Sequence, residues 1–309
     1  MLNHRFLKPV GVVGFLALCF CAWTASAAGE EGRQRIVCST TQVADFARQI
    51  VGDSMQVDSI LGAGMNPHVY QPVPGDSRLV EAADLCLQNG LHLEGKNWME
   101  TLAKDNGDKP LVTSTIGIQP LDLEYEGQLI MDPHAWFDPR NAAIYVNNIL
   151  AGIIEIAPAE ASVFRARADL YLQQLRALDA WLEKQASLIP VEQRVLVTSH
   201  DAFNYFAARY GFVVRSPVGW STGSEVGGGM TPERRRRVVE SIRKFNVRAV
   251  FFESSVDPKL IRQIAQDAGV RVGGELFSDA MGGPGTAGET YVGMMRENMI
   301  VILGGLLTE

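Results

Sequence analysis

Three of the five histidines stand in closely comparable sequence settings, and together with one aspartate they could bind a metal ion. His68 and His134 each follow a proline, and His200 lies where a predicted strand ends and a helix opens. Asp279 follows another predicted strand in the same way. Three imidazoles and one carboxylate form a closed four-coordinate set for a borderline divalent cation such as Zn²⁺.

The spacing of these histidines excludes a local zinc finger. Sixty-six residues separate His68 from His134, and another sixty-six separate His134 from His200. A site built from them therefore has to be assembled by the tertiary structure. The alternative is that each histidine is separately a surface or capping residue. We expect His92, which stands apart from this pattern, to cap or pack a loop.

Short runs rich in β-branched residues alternate with helical stretches from Gln34 onward. This alternation predicts an α/β fold with parallel sheets that are covered by helices on both faces. We expect two doubly wound lobes, each with one parallel sheet, at residues 28–157 and 190–309. In such sheets, ligands bind beyond the carboxyl ends of the strands, which is where this interpretation places His68 and His200.

A long helical stretch at residues 158–189 separates the two predicted lobes. Its apolar side chains fall at steps of three and four, and residues 159–188 include neither glycine nor proline. A helix of about 30 residues, at 1.5 Å each, is about 45 Å long, which exceeds the width of a small domain. We therefore expect this helix to run along both lobes and to join them.

The first 27 residues have the three parts of a secretory signal peptide. Arg5 and Lys8 give a positive start, an apolar run follows, and Ala25-Ser26-Ala27 supplies small residues at the cleavage site. The apolar run is too short for a comfortable membrane span. We expect cleavage before Ala28 and a periplasmic location, with an uncleaved anchor as the alternative.

A lipoprotein is the less expected form, because the large residues Leu18 and Phe20 precede the two cysteines of the leader. Cleavage after residue 27 leaves 282 residues with a net charge of −9. This acidic balance argues against nucleic-acid binding, which requires a positive surface. The remaining cysteines, Cys38 and Cys86, sit in apolar strand-like runs, so buried free thiols are favoured over a disulfide.

Six motifs follow one another in order over nearly the whole chain after the leader. They are Asn66–Tyr70, Ala83–Glu94, Asp132–Asp138, Thr198–Phe206, Phe251–Ser255 and Gly273–Gly282. In these motifs the chain resembles the metal-binding receptors of ABC importers, the family that includes TroA, ZnuA and PsaA proteins. The resemblance implies a two-lobed receptor with a rigid linking helix, with metal at the lobe interface and the importer's permease and ATPase as partners.

The resemblance also assigns roles to individual residues. It implies that His68, His134, His200 and Asp279 hold the metal and that the protein catalyses no reaction; we expect a monomer. The third ligand varies within the family, and a glutamate there accompanies manganese preference in some members. His200 at that position favours Zn²⁺ over the harder Mn²⁺, although the His-rich loop of many zinc receptors is absent from residues 117–130. Mn²⁺, or a mixture of the two ions, stays open as the alternative.

Several polar residues near the motifs are candidates for supporting roles. Asp132 and Asp138 could orient the histidines, although a helix cap is the favoured role for Asp138. Glu253 and Glu275 lie in apolar strands and could hydrogen-bond histidines or loop amides. The glycine-rich loop at residues 219–230 departs from the family pattern and suggests flexibility at the rim of the site.

A zinc hydrolase is the main alternative function, since three histidines alone would leave an open position for water. The sequence contains neither an HExxH motif nor a nucleophile elbow, and Asp279 would close the fourth position. An adhesin-type interaction protein is a third possibility without separate support in the sequence. The run of four arginines at residues 234–237 is expected to form a solvated helix face.

Overall fold

The structure is a computed structural model that describes residue 1 and residues 32–125, 128–215, 231–245, 247–254 and 258–307. The predicted signal peptide, residue 1 apart, and the glycine-rich loop at 219–230 lie outside the described residues. Residues 34–309 form one compact unit, so the lobe boundaries at 157 and 189 stay predictions. In the part of the chain that is described, no helix is both long and apolar enough to cross a membrane.

Strands and helices alternate along most of the chain, as the sequence predicts. The strands are β1 (Arg35–Cys38), β2 (Gln56–Ser59), β3 (Leu85–Gln88), β4 (Leu111–Thr113), β5 (Asp122–Tyr125), β6 (Gln128–Met131), β7 (Val195–Val197), β8 (Val213–Arg215), β9 (Ala249–Glu253) and β10 (Arg271–Leu276). The helices are α1 (Thr41–Val51), α2 (Pro74–Glu81), α3 (Trp98–Asp105), α4 (Pro139–Ile156), α5 (Ala161–Ala186), α6 (Asn204–Tyr210), α7 (Pro232–Phe245), α8 (Pro258–Ala268) and α9 (Tyr291–Leu307). We refer to β1–α4 as the N-terminal lobe and to β7–α9 as the C-terminal lobe.

Strands β1 to β4 form a parallel sheet in the order β2-β1-β3-β4. Ile36 of β1 stands opposite Val57 of β2 and Leu85 of β3, which fixes the register at the centre of the sheet. Helices α1 and α4 cover one face, and α2 and α3 cover the other. The strand order reverses direction between β1 and β3, and the carboxyl end of such a switch point is where ligands bind in open α/β sheets.

Cys38 and Cys86 lie on neighbouring strands but face opposite sides of this sheet. Cys38 stands opposite Leu87, and Cys86 stands opposite Val37, while successive side chains of a strand alternate between faces. Cys38 therefore packs in the core beneath α1, and Cys86 packs in the core beneath α3. Both are buried free thiols, as predicted, and burial raises the pKa of Cys86 to about 11.

Helix α5 is the long helix that the sequence predicts, and its 26 residues extend about 39 Å. It lies within the predicted range of 158–189 and starts three residues later than predicted, because residues 158–160 form a 3₁₀ turn. The buried residues of its middle are Phe164, Ala168, Tyr171, Leu175, Leu178 and Leu182. Helix α5 packs on α1 and α4 of the N-terminal lobe and on α9 of the C-terminal lobe, so one helix contacts both lobes.

The C-terminal lobe contains two parallel strand pairs, β7 with β8 and β9 with β10, and β7 lies beside β9. A bulge between Val272 and Gly274 interrupts the second pair. A Cβ on Gly305 of α9 would lie 3.0 Å from the Cα of Gly273 and 2.6 Å from the ring of Phe251. The absence of side chains at these glycines lets α9 pack directly on the strands.

An antiparallel hairpin, β5–β6, is an element that the alternating sequence pattern does not predict. Asp122 pairs with Met131, and the backbone N–H of Asp132 donates to the carbonyl of Leu121 at 2.7 Å, which closes the base of the hairpin. The side chain of Leu129 is 73% exposed. Strand β6 has the sequence Gln-Leu-Ile-Met and lacks the apolar–polar alternation that signals a half-buried strand, whereas β5 has that alternation over only four residues.

Candidate metal centre

The structure brings His68, His134, His200 and Asp279 together from four separate segments of the chain. Each offers one donor atom, and these atoms all lie within 4.8 Å of one another. Asp279 Oδ1 is 3.7 Å from His68 Nε2, 3.3 Å from His134 Nε2 and 3.4 Å from His200 Nε2. The Nε2 atoms of His68 and His134 are 3.2 Å apart. The four side chains singled out in the sequence therefore form one cluster.

The four distances of 3.2–3.7 Å are close to the spacing of donor atoms around a tetrahedral zinc ion. Bonds of 2.0–2.2 Å to nitrogen and oxygen place neighbouring donors about 3.3–3.6 Å apart. The side chains of His134, His200 and Asp279 are 2%, 2% and 1% exposed, whereas that of His68 is 17% exposed. The cluster is therefore buried, and His68 lies on its solvent side.

His68 is held in the loop that follows β2, at the carboxyl end of the parallel sheet. The side-chain oxygen of Asn66 accepts a hydrogen bond from the His68 backbone N–H at 2.9 Å, and Trp98 Nε1 donates to the carbonyl of Pro67 at 3.2 Å. Gly95, with φ +52°, comes so close that a Cβ there would approach the His68 carbonyl to 2.6 Å. Burial lowers the pKa of His68, which favours the neutral imidazole that binds metal.

His134 precedes the 3₁₀ turn before α4, and Asp132 holds its imidazole in place. Asp132 Oδ1 accepts from the His134 backbone N–H at 2.9 Å and lies 2.7 Å from His134 Nδ1. This contact fixes Nδ1 as the nitrogen that faces the carboxylate, and Nε2 then faces the cluster. Burial alone would lower the pKa of His134, but Asp132 and Asp279 raise it to about 9.

His200 follows β7 and is held by Glu253 at the end of β9. Glu253 Oε1 accepts from the Ser199 hydroxyl at 2.8 Å and from the His200 backbone N–H at 3.1 Å, while Oε2 contacts His200 Nδ1. Burial opposes the charge of both groups. Their mutual attraction nevertheless raises the pKa of His200 well above its ordinary value and lowers the pKa of Glu253. His200 Nε2 therefore faces the cluster, as does the Nε2 of His134.

Asp279 lies in the loop after β10, and the three imidazoles surround its carboxylate. Both of its oxygens are buried, and neither makes a hydrogen bond of acceptable geometry within the described residues. Burial would raise the pKa of Asp279, but the facing imidazoles lower it well below its usual value. A buried ionised carboxylate without hydrogen bonds is costly, so this site suits a cation that binds the carboxylate directly.

The other polar residues considered in the sequence occupy different places. Asp138 caps α4, where its Oδ1 accepts from the backbone N–H of Arg140 at 2.9 Å, so the predicted capping role is confirmed. His92 is exposed in a turn, with φ +64°, and does not belong to the cluster. Glu275 is exposed on β10, so Glu253 is the strand glutamate that reaches a histidine.

The arginine run at the start of α7 behaves as a charged helix face. Arg235 pairs with Asp267 of α8 at 2.6 Å, and Arg236 lies 4.0 Å from Glu240 on its own helix. The side chain of Arg236 is 72% exposed, so its ion pair is screened by water and contributes little stability. These contacts fit the solvated face expected from the sequence.

A buried glutamate that the sequence patterns do not single out supports the segment around His134. Glu94 accepts from the Ser39 hydroxyl at 2.7 Å and from the backbone N–H groups of Asn89 and Gly90 at 2.7 and 3.1 Å. Asn89 in turn donates to the carbonyl of Pro133 at 3.1 Å. Glu94 therefore stabilises the turn after β3, which contacts the residue next to His134. Its place at the end of the Ala83–Glu94 motif was the available signal.

Comparison with known proteins supplies the context for this cluster. Residues 36–304 match the family described as ZnuA, zinc-uptake complex component A, periplasmic. The chain belongs to this family. Its members are the extracytoplasmic metal-binding components of ABC importers, and they work with a permease and an ATPase. The resemblance seen in the sequence motifs is thereby confirmed.

Individual relatives carry the names of three different metals. The chain is 36% identical to the zinc-binding protein TroA of Treponema pallidum over 314 residues, covering 99% of each chain. It is 36% identical to the manganese-binding lipoprotein MntA of Halalkalibacterium halodurans over 288 residues, covering 93% of each. It is 35% identical to the iron-binding protein YfeA of Yersinia pestis over 312 residues, covering 98% of each. The metal therefore does not follow from family membership.

Solved structures confirm the predicted α/β fold of two doubly wound lobes and a linking helix. The periplasmic zinc-binding protein TroA of Treponema pallidum has a TM-score of 0.80 at 34% identity, covering 89% of this chain and 99% of that one. A manganese-bound mutant of a periplasmic metal-binding protein from Candidatus Liberibacter asiaticus has a TM-score of 0.77 at 26% identity, covering 89% and 100%. Several relatives are named lipoproteins, so the expectation that a lipoprotein is the less expected form of this chain is not borne out.

Proposed function

We propose that this protein captures Zn²⁺ with His68, His134, His200 and Asp279 and delivers it to the membrane permease of an ABC importer. One observation carries the proposal: four donor atoms from distant parts of the chain lie within 4.8 Å of one another in a buried cluster. Two of the imidazoles already have their Nδ1 atoms against carboxylates, which is the usual support of a metal-binding histidine.

The donor set favours Zn²⁺ as the cargo. Imidazoles suit Zn²⁺, whereas Mn²⁺ prefers carboxylate, carbonyl and water oxygens. Mn²⁺ is the alternative, and relatives named for manganese binding support it. Any site of this kind binds Zn²⁺ more tightly than Mn²⁺ in vitro, because affinity follows the Irving–Williams order. The metal content of protein isolated from its own compartment therefore distinguishes the two cargoes.

Alanine variants test the four proposed ligands, with His92→Ala as the matched control. Each of the variants His68→Ala, His134→Ala, His200→Ala and Asp279→Ala should weaken zinc binding by at least about 100-fold, because loss of an outer partner of a ligand already costs 10–100-fold. Competition with a zinc-binding dye measures the affinity. His92→Ala should bind as the wild type does. Unchanged affinity in the four ligand variants would show that the metal binds elsewhere.

The same geometry argues for binding and release rather than catalysis. A catalytic zinc keeps an open coordination position for water. Here Asp279 Oδ1 lies 3.3–3.7 Å from the three Nε2 atoms, so the protein supplies all four donors of a closed set. Absence of water from the coordination sphere of the loaded protein is the expected result, and a zinc-bound water in place of Asp279 would favour a hydrolase instead.

We further propose that the protein works in the periplasm as a monomer, after removal of residues 1–27. The composition of the leader and the family description as periplasmic support this location. The intact mass of protein from the periplasmic fraction should correspond to a chain that begins at Ala28. A lipid-modified mass with an N-terminal Cys19 or Cys21 would instead show a membrane-anchored form, as in the relatives named lipoproteins.

A further inference from the structure

A side-chain amide from the C-terminal lobe supports a histidine of the N-terminal lobe. Asn204, the first residue of α6, donates from Nδ2 to Asp132 Oδ2 at 3.0 Å. The other oxygen of Asp132 lies 2.7 Å from His134 Nδ1. Two successive contacts therefore link the start of α6 to the imidazole of His134. Asn204 lies within the Thr198–Phe206 motif, but the sequence does not indicate its acceptor, which is 72 residues away.

The neighbouring residue of α6 strengthens this contact between the lobes. The hydroxyl of Tyr205 donates to the backbone carbonyl of Asp132 at 2.9 Å and accepts from the backbone N–H of Leu121 at 3.1 Å. Asp132 is 0% exposed and Tyr205 is 4% exposed, so water does not compete for these hydrogen bonds. The start of α6 thus holds both the side chain and the backbone of the carboxylate that orients His134.

A second amide makes the reciprocal contact, from the N-terminal lobe to the loop of Asp279. Gln42, in the first turn of α1, donates from Nε2 to the carbonyl of Ser278 at 3.0 Å. The hydroxyl oxygen of Thr41 accepts from the backbone N–H of Met281 at 2.9 Å. Asp279 lies between these two anchor points, and Gln42 is 1% exposed. The first turn of α1 therefore fixes the loop that presents the carboxylate.

We propose that Asn204 and Gln42 are positioning residues that make metal affinity depend on contact between the two lobes. Each lobe supplies an amide that supports a metal-binding group of the other lobe, His134 in one direction and Asp279 in the other. Separation of the lobes removes both amides from their acceptors, so both ligands lose support together. An amide suits this task because it donates a hydrogen bond without a charge that would repel the incoming cation. The inference rests on the proposed metal site.

Alanine variants of the two amides test the proposal in the full chain. Asn204→Ala and Gln42→Ala should each weaken zinc binding by about 10-fold, the lower end of the effect for outer partners of metal ligands. Asn204 donates a second hydrogen bond from Nδ2, to the carbonyl of Asp201 at 3.1 Å. The matched control is Asn148→Ala, because Asn148 likewise donates twice from Nδ2, to the carbonyls of Ser114 and Ile116, and lies outside the cluster. The control should retain wild-type affinity.

The visible spectrum of bound Co²⁺ separates positioning from a general loss of stability. Co²⁺ replaces Zn²⁺ in tetrahedral sites, and its absorption bands report the ligand geometry. Asn204→Ala and Gln42→Ala should shift or weaken these bands, and Asn148→Ala should not. Asn204→Asp should lose more affinity than Asn204→Ala, because it places a second carboxylate against Asp132 while keeping the size of the side chain.

The outcomes distinguish this inference from the proposed function. A wild-type protein that binds neither Zn²⁺ nor Co²⁺ would refute the proposed function itself. If the wild type binds both ions, and both amide variants match Asn148→Ala in affinity and in the Co²⁺ spectrum, the positioning roles are wrong. Weakened binding with an unchanged Co²⁺ spectrum would also overturn them, because it would show loss of stability without a change in ligand geometry.

Discussion

Metal affinity should fall steeply as the pH is lowered, because the metal has to displace protons from the histidines. Asp132 and Asp279 raise the pKa of His134 to about 9, so at neutral pH its imidazole is protonated before metal binds. Binding requires an unprotonated nitrogen. Between pH 8 and pH 6 the unprotonated fraction falls about 90-fold for a pKa of about 9, against about 4-fold for an ordinary histidine.

Calorimetric titration with Zn²⁺ at several pH values measures this dependence directly. At pH 7, titrations in two buffers that differ in ionisation enthalpy should show at least one proton released for each zinc bound. The pKa of His200 is also raised, so the total loss of affinity between pH 8 and pH 6 should exceed that from His134 alone. A wild-type affinity that changes by less than about 10-fold over this range would contradict the raised pKa of His134.

Asp132→Asn is the matched variant for this measurement. It keeps the size of the side chain and removes the negative charge that raises the pKa of His134. The pKa of His134 should then move back towards its ordinary value, so the dependence of affinity on pH should become shallower. Affinity at pH 8 should also decrease, because the carboxylate no longer orients the imidazole. A variant with the same pH dependence as the wild type would show that Asp132 does not control the protonation of His134.

Further predictions concern the core, the thiols and ligand binding. Phe46→Ala should destabilise the metal-free protein by about 3–5 kcal/mol in urea denaturation, because Phe46 is fully buried. The control Leu170→Ala, at a site 61% exposed, should change the free energy of unfolding by no more than about 0.5 kcal/mol. Equal effects would contradict the core assignment. A thiol reagent without reductant should modify Cys38 and Cys86 of the mature protein only after unfolding, and failure to modify them then would indicate a disulfide. Free zinc at 1,000 times its dissociation constant should stabilise the wild type by about 4 kcal/mol and raise the Tm by about 7 °C. His134→Ala should show a much smaller shift at the same zinc concentration; an equal shift would place the zinc elsewhere.

Elements whose signals lie in their own residues could be predicted from the sequence at residue level. The sequence predicts a strand at Arg35–Cys38 and a helix from Pro139 to about Ile156, and β1 and α4 have these bounds. For α4 the reason is local, because Asp138 caps the first turn and Pro139 suits the first helical position. Both signals act between neighbouring residues, so no knowledge of the tertiary structure was needed.

Elements whose bounds depend on tertiary contacts were predicted less well. The sequence predicts a helix over residues 202–210, but α6 begins two residues later, at Asn204, because residues 201–203 form a turn after His200. The sequence predicts a strand over residues 55–61, but β2 covers only Gln56–Ser59. Ile60 and Leu61 still donate backbone hydrogen bonds to the carbonyls of Cys38 and Ser39. The β5–β6 hairpin was missed because Gln128–Met131 has no apolar–polar alternation and Asp122–Tyr125 has it over only four residues.

The four metal-binding candidates were predictable because each carries its signal locally, as a histidine or aspartate in a loop after a strand or beside a proline. Their supporting residues were not equally visible. Asp132 lies two residues from His134 and was a candidate, whereas Gln42 acts on a loop 236 residues away. Nothing in the sequence near Gln42 indicates which loop it meets, so its role follows only from the packing of the two lobes.

X-ray absorption at the zinc edge, combined with anomalous diffraction from crystals of the zinc-loaded protein, tests the central claim most directly. The proposed site predicts one zinc ion per chain with four protein donors at about 2.0–2.2 Å. These donors should be the Nε2 atoms of His68, His134 and His200 and one carboxylate oxygen of Asp279. A zinc ion bound elsewhere, or one in which water replaces any of these four donors, would contradict the proposal.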